Sequence, residues 1–187
     1  MTWIIIVGLF LLAFVPLLYA IPSPKERRQA KLRKRAMSDG IKVEVMFIPK
    51  LSADASEMVN AAGKFLEPKI ECAAYQLILS KRLDIPHLFF LKTFAENKQS
   101  LYDAFEHWGV RSETEFRYIK DYPDLIKLIE SSVEHLPEDA LALELTPQKI
   151  SVLWRESDDS GSSYQSVLET LKMLKEHVEK PENICDL

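Results

Sequence analysis

Residues that chemistry is usually built from are scarce in this chain. Of 187 residues only two are Cys, Cys72 and Cys185, far apart in sequence. That excludes a disulfide-stapled mini-protein and a four-cysteine zinc site. There are five Gly, at 8, 40, 63, 109 and 161, and the closest pair is 23 residues apart. No dinucleotide-binding fingerprint, phosphate-binding loop or nucleophile elbow can be assembled from them. The four His (His87, His107, His135, His177) include no i, i+4 pair and no zincin motif. Three of them follow Glu, and their expected role is a solvated residue at a helix end. No internal repeat or low-complexity tract occurs. The chain is still no disordered polymer, because 47% of its residues are hydrophobic and 10% aromatic.

No charged side chain occurs before Lys25. Trp3 to Ile21 are 19 uncharged, mostly aliphatic positions, about 28 Å long as a helix, close to the hydrocarbon thickness of a bilayer. A cleaved signal peptide would need a basic start and small residues before the cut, and the best cut, after Ala20, has Leu18 at minus three. The expectation is therefore a transmembrane anchor over residues 1–22. A basic juxtamembrane helix follows over 23–40, then an α+β domain over 41–180, then a flexible tail over 181–187. Lys25, Arg27, Arg28, Lys31, Arg33, Lys34 and Arg35 stand against Glu26 alone. By the positive-inside rule that flank is cytoplasmic and the N-terminus outside, as for a single-pass protein of the bacterial inner membrane. The same seven side chains are the candidate contacts to lipid headgroups.

Charge is distributed unevenly. Residues 1–35 hold seven positive and one negative side chain, net +6; the remaining 17 positive and 27 negative give residues 36–187 a net −10. A nucleic-acid partner is not expected of so acidic a domain.

Along that domain, Ile41, Val43 and Val45 alternate with Lys42 and Glu44 over Ile41 to Pro49, a half-buried strand. Ser52 is a candidate cap for a helix with Met58, Val59, Ala62, Phe65 and Leu66 on one face. Residues 70–80 fit either a strand or a helix, with a strand favoured, and His87 to Thr93 reads as a strand. Leu101, Ala104, Phe105 and Trp108 have helical spacing, with Gly109 as the stop. Ser112-Glu113-Thr114-Glu115 is a capping box, and Asp121 with Pro123 opens a further helix. Leu141, Leu143 and Leu145, then Ile150, Val152 and Trp154, predict a β-hairpin with one apolar face. Ser162 and Gln165 form a second capping box, before the stripe Tyr164, Val167, Leu168, Leu171, Leu174 and Val178. The expected fold is thus α+β: an N-terminal transmembrane helix, then a small cytoplasmic domain with an antiparallel or mixed sheet covered by helices.

No catalytic, metal or cofactor set is singled out. Cys72 lies in an apolar stretch and reads as a buried structural thiol. Asp158, Asp159 and Ser160 lack the spacing of a calcium loop. Trp108, Trp154 and the Phe89-Phe90 pair have the spacing of core residues.

The N-terminal region resembles the YajC family, the small single-span accessory subunit of the bacterial Sec translocon. The likeness is carried by an apolar span, Pro22, a basic helix with Arg27, Arg28, Gln29, Leu32 and Met37, then Gly40 and a β-like run with Val43. About 140 residues of another kind of domain follow. The whole chain is similar to a set of uncharacterised gammaproteobacterial membrane proteins sometimes labelled YajC-like, through Leu136-Pro137-Glu138-Asp139-Ala140 and Leu153-Trp154-Arg155-Glu156. The resemblance implies an inner-membrane setting and brings no established activity. The function expected is a non-enzymatic, membrane-anchored accessory or scaffold protein with no cofactor, translocase-associated in the YajC manner. Its partners would be the bilayer and another membrane or membrane-associated protein, bound through the acidic domain, with the oligomeric state left open. The alternatives are a membrane-tethered enzyme of unknown class and a surface protein that senses anionic lipid.

Overall fold

The computed structural model describes residue 3 and residues 22–50, 58–59, 63–66, 68–93, 101–157 and 161–180. The chain divides into two compact units, Met1–Arg35 and Ala36–Leu187. Helix α1, Pro24–Ser38, carries the basic run. Asp39 and Gly40 end it, with Gly40 at φ 80°, where a side chain would be strained, and Ile41 N–H closing back on the Ala36 carbonyl at 2.9 Å.

The second unit is built on seven strands: β1 (Lys42–Pro49), β2 (Lys69–Ile78), β3 (Leu88–Lys92), β4 (Tyr102–Phe105), β5 (Trp108–Val110), β6 (Ala140–Leu145) and β7 (Lys149–Trp154). Three helices accompany them: α2 (Glu113–Asp121), α3 (Pro123–Val133) and α4 (Gly161–Val178). The spatial order is β1-β2-β7-β6-β3-β5-β4, and every pair is antiparallel. Helix α4 lies on β7 and β2, α3 on α4, and α2 beside α3 and β4.

The central hairpin β6–β7 is where the chain has most apolar surface to bury. Leu143, Leu145, Ile150, Val152 and Trp154 project to the α4 side together with Tyr75, whose ring lies 6.2 Å from that of Tyr164 on α4. The expected α4 stripe is buried from Tyr164 to Val178. The opposite face is buried as well, by Ile48, Cys72, Ala74, Leu91, Leu101, Ala142 and Leu153. An irregularity between Ala140 and Ala142 puts Leu141 into this second cluster, so the hairpin has two apolar faces where alternation predicts one.

Several expectations are corrected. Among the described residues no helix is long and apolar enough to cross a membrane. That overturns the fold class with an N-terminal transmembrane helix and the single-pass inner-membrane location with its N-terminus outside. The segment on which both rested lies, Trp3 apart, outside the described residues, as do residues 181–187, assigned to a tail. Residues 69–78 are a strand. The helix expected over 101–108 is instead β4, a turn and β5: its apolar spacing is equally that of a tight ribbon, in which His107 takes φ 62°. Most of the helix expected after Ser52 is outside the described residues, but Val59 and Phe65 within it pair as an antiparallel bridge. The Ser112 cap forms as expected, accepting the Thr114 N–H at 3.2 Å. Helix α3 starts one residue later than expected, with Tyr122 and not Asp121 at its N-cap. In α4 the Gln165 amide donates to Glu169.

Gly109 holds the β4–β5 pair together. A Cβ there would lie 2.8 Å from the Tyr102 carbonyl oxygen and 2.9 Å from Leu101 Cβ. Gly109→Ala is expected to cost about 1–3 kcal/mol, because backbone must part to admit the methyl. Urea unfolding reads this directly, and an unchanged midpoint would show that the pair has slack.

Candidate functional site at the open sheet edge

The two edges of the sheet differ. Edge strand β4 is four residues long and loses register between Asp103 and Phe105, which blunts it against further pairing. Edge strand β1 is eight residues long and pairs with β2 without interruption, from Lys42–Gln76 to Pro49–Lys69. Among the described residues nothing pairs with its outer side. Its ladder continues past Pro49, with Lys50 N–H donating to the Pro68 carbonyl at 2.8 Å and Leu66 N–H to Met58 at 2.7 Å.

The side chains on β1 follow the sequence pattern only in part. Alternation marks Ile41, Val43 and Val45 as the face to bury, and Ile41 is buried and Val43 half-buried. In the structure Ile48 is buried and Met46 half-buried, on the other face, while Val45 is 47% and Phe47 61% exposed. Both project on the α4 side, opposite Ala73 and Glu71, beyond the strands that α4 covers. Further along the ladder, Val59, Phe65 and Leu66 are exposed too. Residues 45–66 thus hold five of the ten exposed large hydrophobics among the described residues. Scattered apolar residues on a surface need no explanation, but a run along an edge strand does.

A polar row lies on the face away from α4. Glu44 accepts from Gln76 at 3.0 Å and pairs with Lys42 at 2.5 Å; the Lys42 bond, then that of Gln76, holds its carboxyl below the ordinary value. Three strands away, on β6, Glu144 receives Ser151 Oγ at 2.8 Å, Lys149 Nζ at 3.0 Å and His87 Nε2 at 3.0 Å. Burial pushes the Glu144 carboxyl up, but the bonds from Ser151 and Lys149 and the nearby His87 outweigh it, and the net shift is downward. This is no nucleophile set. Ser151 is fully buried and gives its proton to the carboxylate, and His87 binds the same carboxylate instead of the hydroxyl. The signal for the cluster was Glu144 itself, the one charged residue in the apolar run Ala140–Leu145.

The other candidate residues are dispersed. Lys25, Arg27, Arg28, Lys31, Lys34 and Arg35 are exposed on α1, and Arg33 is half-buried. Burial pushes the Cys72 thiol up to about 11, with Glu71 adding to it, as suits a structural thiol. Trp108, Trp154 and Phe90 are core residues. His107 sits in the β4–β5 turn and not at a helix end. Residues 158–160 of the polar loop are outside the described residues. Beside them, Asp139 accepts the Ser157 N–H and hydroxyl, and buried Glu156, at φ 52°, accepts the Tyr75 hydroxyl at 2.8 Å. Among the described residues no group of three or more His, Cys, Asp or Glu is placed to hold a metal ion.

No protein-family model matches the chain, and no curated protein matches it. Among solved structures the chain is similar to the mycobacterial trehalose monomycolate transport factor A, TtfA. The TM-score is 0.44 and the identity 8%, over 81% of this chain and 94% of that chain. A likeness at that level carries no functional argument, and none of these comparisons bears on YajC-like proteins.

Proposed function

We propose that the chain is a non-enzymatic accessory or scaffold protein that binds another protein by taking an extended segment of it as an eighth strand beside β1. The observation that carries this reading is the outer side of β1, with which nothing pairs among the described residues, together with the exposed Val45 and Phe47. Strand addition draws affinity from backbone hydrogen bonds and specificity from alternate side chains. An incoming strand with apolar residues at every second position would cover the Val43, Val45 and Phe47 row and leave the polar row untouched. The enzyme reading draws no support from the Ser151, Glu144 and His87 arrangement, which lacks a hydroxyl-to-base bond.

A photo-crosslinking residue placed at Phe47 of the full chain in its source cells tests this. One protein species is expected to be trapped there and not from Met173, an exposed position on α4. Val45→Lys, which sets a charge in the same exposed apolar row, is expected to lower the capture at position 47 about tenfold or more. Trapping nothing at Phe47, or the same species equally at Met173, overturns the proposal.

A further inference from the structure

Helix α1 is cationic on one side. Arg27, Arg28, Lys31, Lys34 and Arg35 recur at i, i+1, i+4, i+7 and i+8. At 3.6 residues per turn they fall within an arc of about 120° and run about 12 Å along the axis. All five are exposed. Gln29, Leu32 and Arg33 lie on the opposite side and are half-buried, and Ala36, on that same side, is fully buried. The five exposed basic side chains therefore fall on one face of the helix, as a row of positive charge. Its one acidic residue does not dilute the row. Glu26 sits off the arc and closes a capping box with Ser23, accepting the Ser23 N–H at 2.6 Å while Ser23 Oγ accepts the Glu26 N–H at 3.2 Å.

We infer that this five-residue face docks on an anionic lipid bilayer at the level of the phosphate headgroups, independently of the protein partner proposed for β1. The face is straight and one-sided, which matches a planar array of phosphates. No large apolar side chain lies on it, so the contact is electrostatic and does not insert. A single-stranded nucleic acid would need stacking aromatics, and Lys25 to Arg35 has none.

Of the seven candidate headgroup contacts, Lys25 and Arg33 lie off the arc, and this gives a charge-matched test. Full-length protein is floated with phosphatidylcholine vesicles, with or without about one third phosphatidylglycerol. Binding is expected to rise with the anionic lipid and to fall in half-molar salt. Each basic side chain near the surface contributes roughly fivefold, so the pair Arg27→Gln and Lys31→Gln is expected to lose roughly 25-fold. The pair Lys25→Gln and Arg33→Gln removes the same charge and is expected to lose less than about fivefold. Equal losses for the two pairs, no preference for phosphatidylglycerol, or duplex DNA binding with the same residue pattern would overturn the inference.

Discussion

Trp154→Ala is expected to destabilise the second unit by about 3–5 kcal/mol, a large part of the total stability of an ordinary domain. The indole is fully buried. It stands between Ala73 on β2 and Ala140 on β6, and these two small neighbours leave the space that it fills. The Tyr75 ring meets it edge-on at 5.4 Å, a contact that adds to its area burial. Methyl groups on both flanking strands cannot collapse into the gap, so a cavity remains. Trp154 Nε1 has no hydrogen-bond partner among the described residues, so Trp154→Phe forfeits only volume and is expected to cost about 1–2 kcal/mol. Urea unfolding followed by circular dichroism separates the two. A cost below about 1 kcal/mol for the alanine variant would mean that α4 settles into the gap and the packing described is wrong.

The second large effect is at Glu144. Glu144→Ala is expected to cost about 2–3 kcal/mol, because the fully buried Ser151 hydroxyl loses its acceptor. Ser151→Ala is expected to cost less, since the carboxylate keeps Lys149 and His87. The Glu144 carboxyl titrates below its ordinary value in the folded chain. Its contribution is therefore complete above the ordinary glutamate range, and it is lost as pH falls through the lowered folded value. Glu144→Gln keeps an acceptor for Ser151 but cannot titrate. It is expected to flatten this part of the acid limb of the stability curve. If the limb is unchanged in Glu144→Gln, the carboxylate does not act as described.

The parts of the fold that could be read in the sequence are those where one local pattern decides. The β6–β7 strands, the α4 stripe, the basic α1 and the Ser112 cap each rest on spacing within a few residues. Where two structures share a spacing, the pattern misleads. Leu101, Ala104, Phe105 and Trp108 fit a helix, yet Gly109 permits an approach to Tyr102 that a helix would not use. Leu141 changes face through an irregularity that no alternation reveals. At the candidate site, the strand over Ile41 to Pro49 was legible, but its exposure was not. Which face of β1 is covered depends on where α4 ends across the sheet, a long-range fact. The five-residue face of α1 was present in the spacing, and the structure adds that all five side chains are exposed.

The strand order also constrains how the chain matures on the ribosome. Strands β1 and β2 emerge first and can zip as a ribbon, and β3, β5 and β4 follow as another. In the finished sheet these two ribbons never touch each other; β7 and β6 stand between them. A nascent chain that has reached residue 139 therefore holds two separate ribbons, each with an inner margin awaiting strands not yet made. Only when the hairpin emerges can it wedge between them and join both in one step. A chain stopped before the hairpin is left with two orphan half-sheets, and the late arrival of the central pair makes the last third of translation the interval most exposed to aggregation.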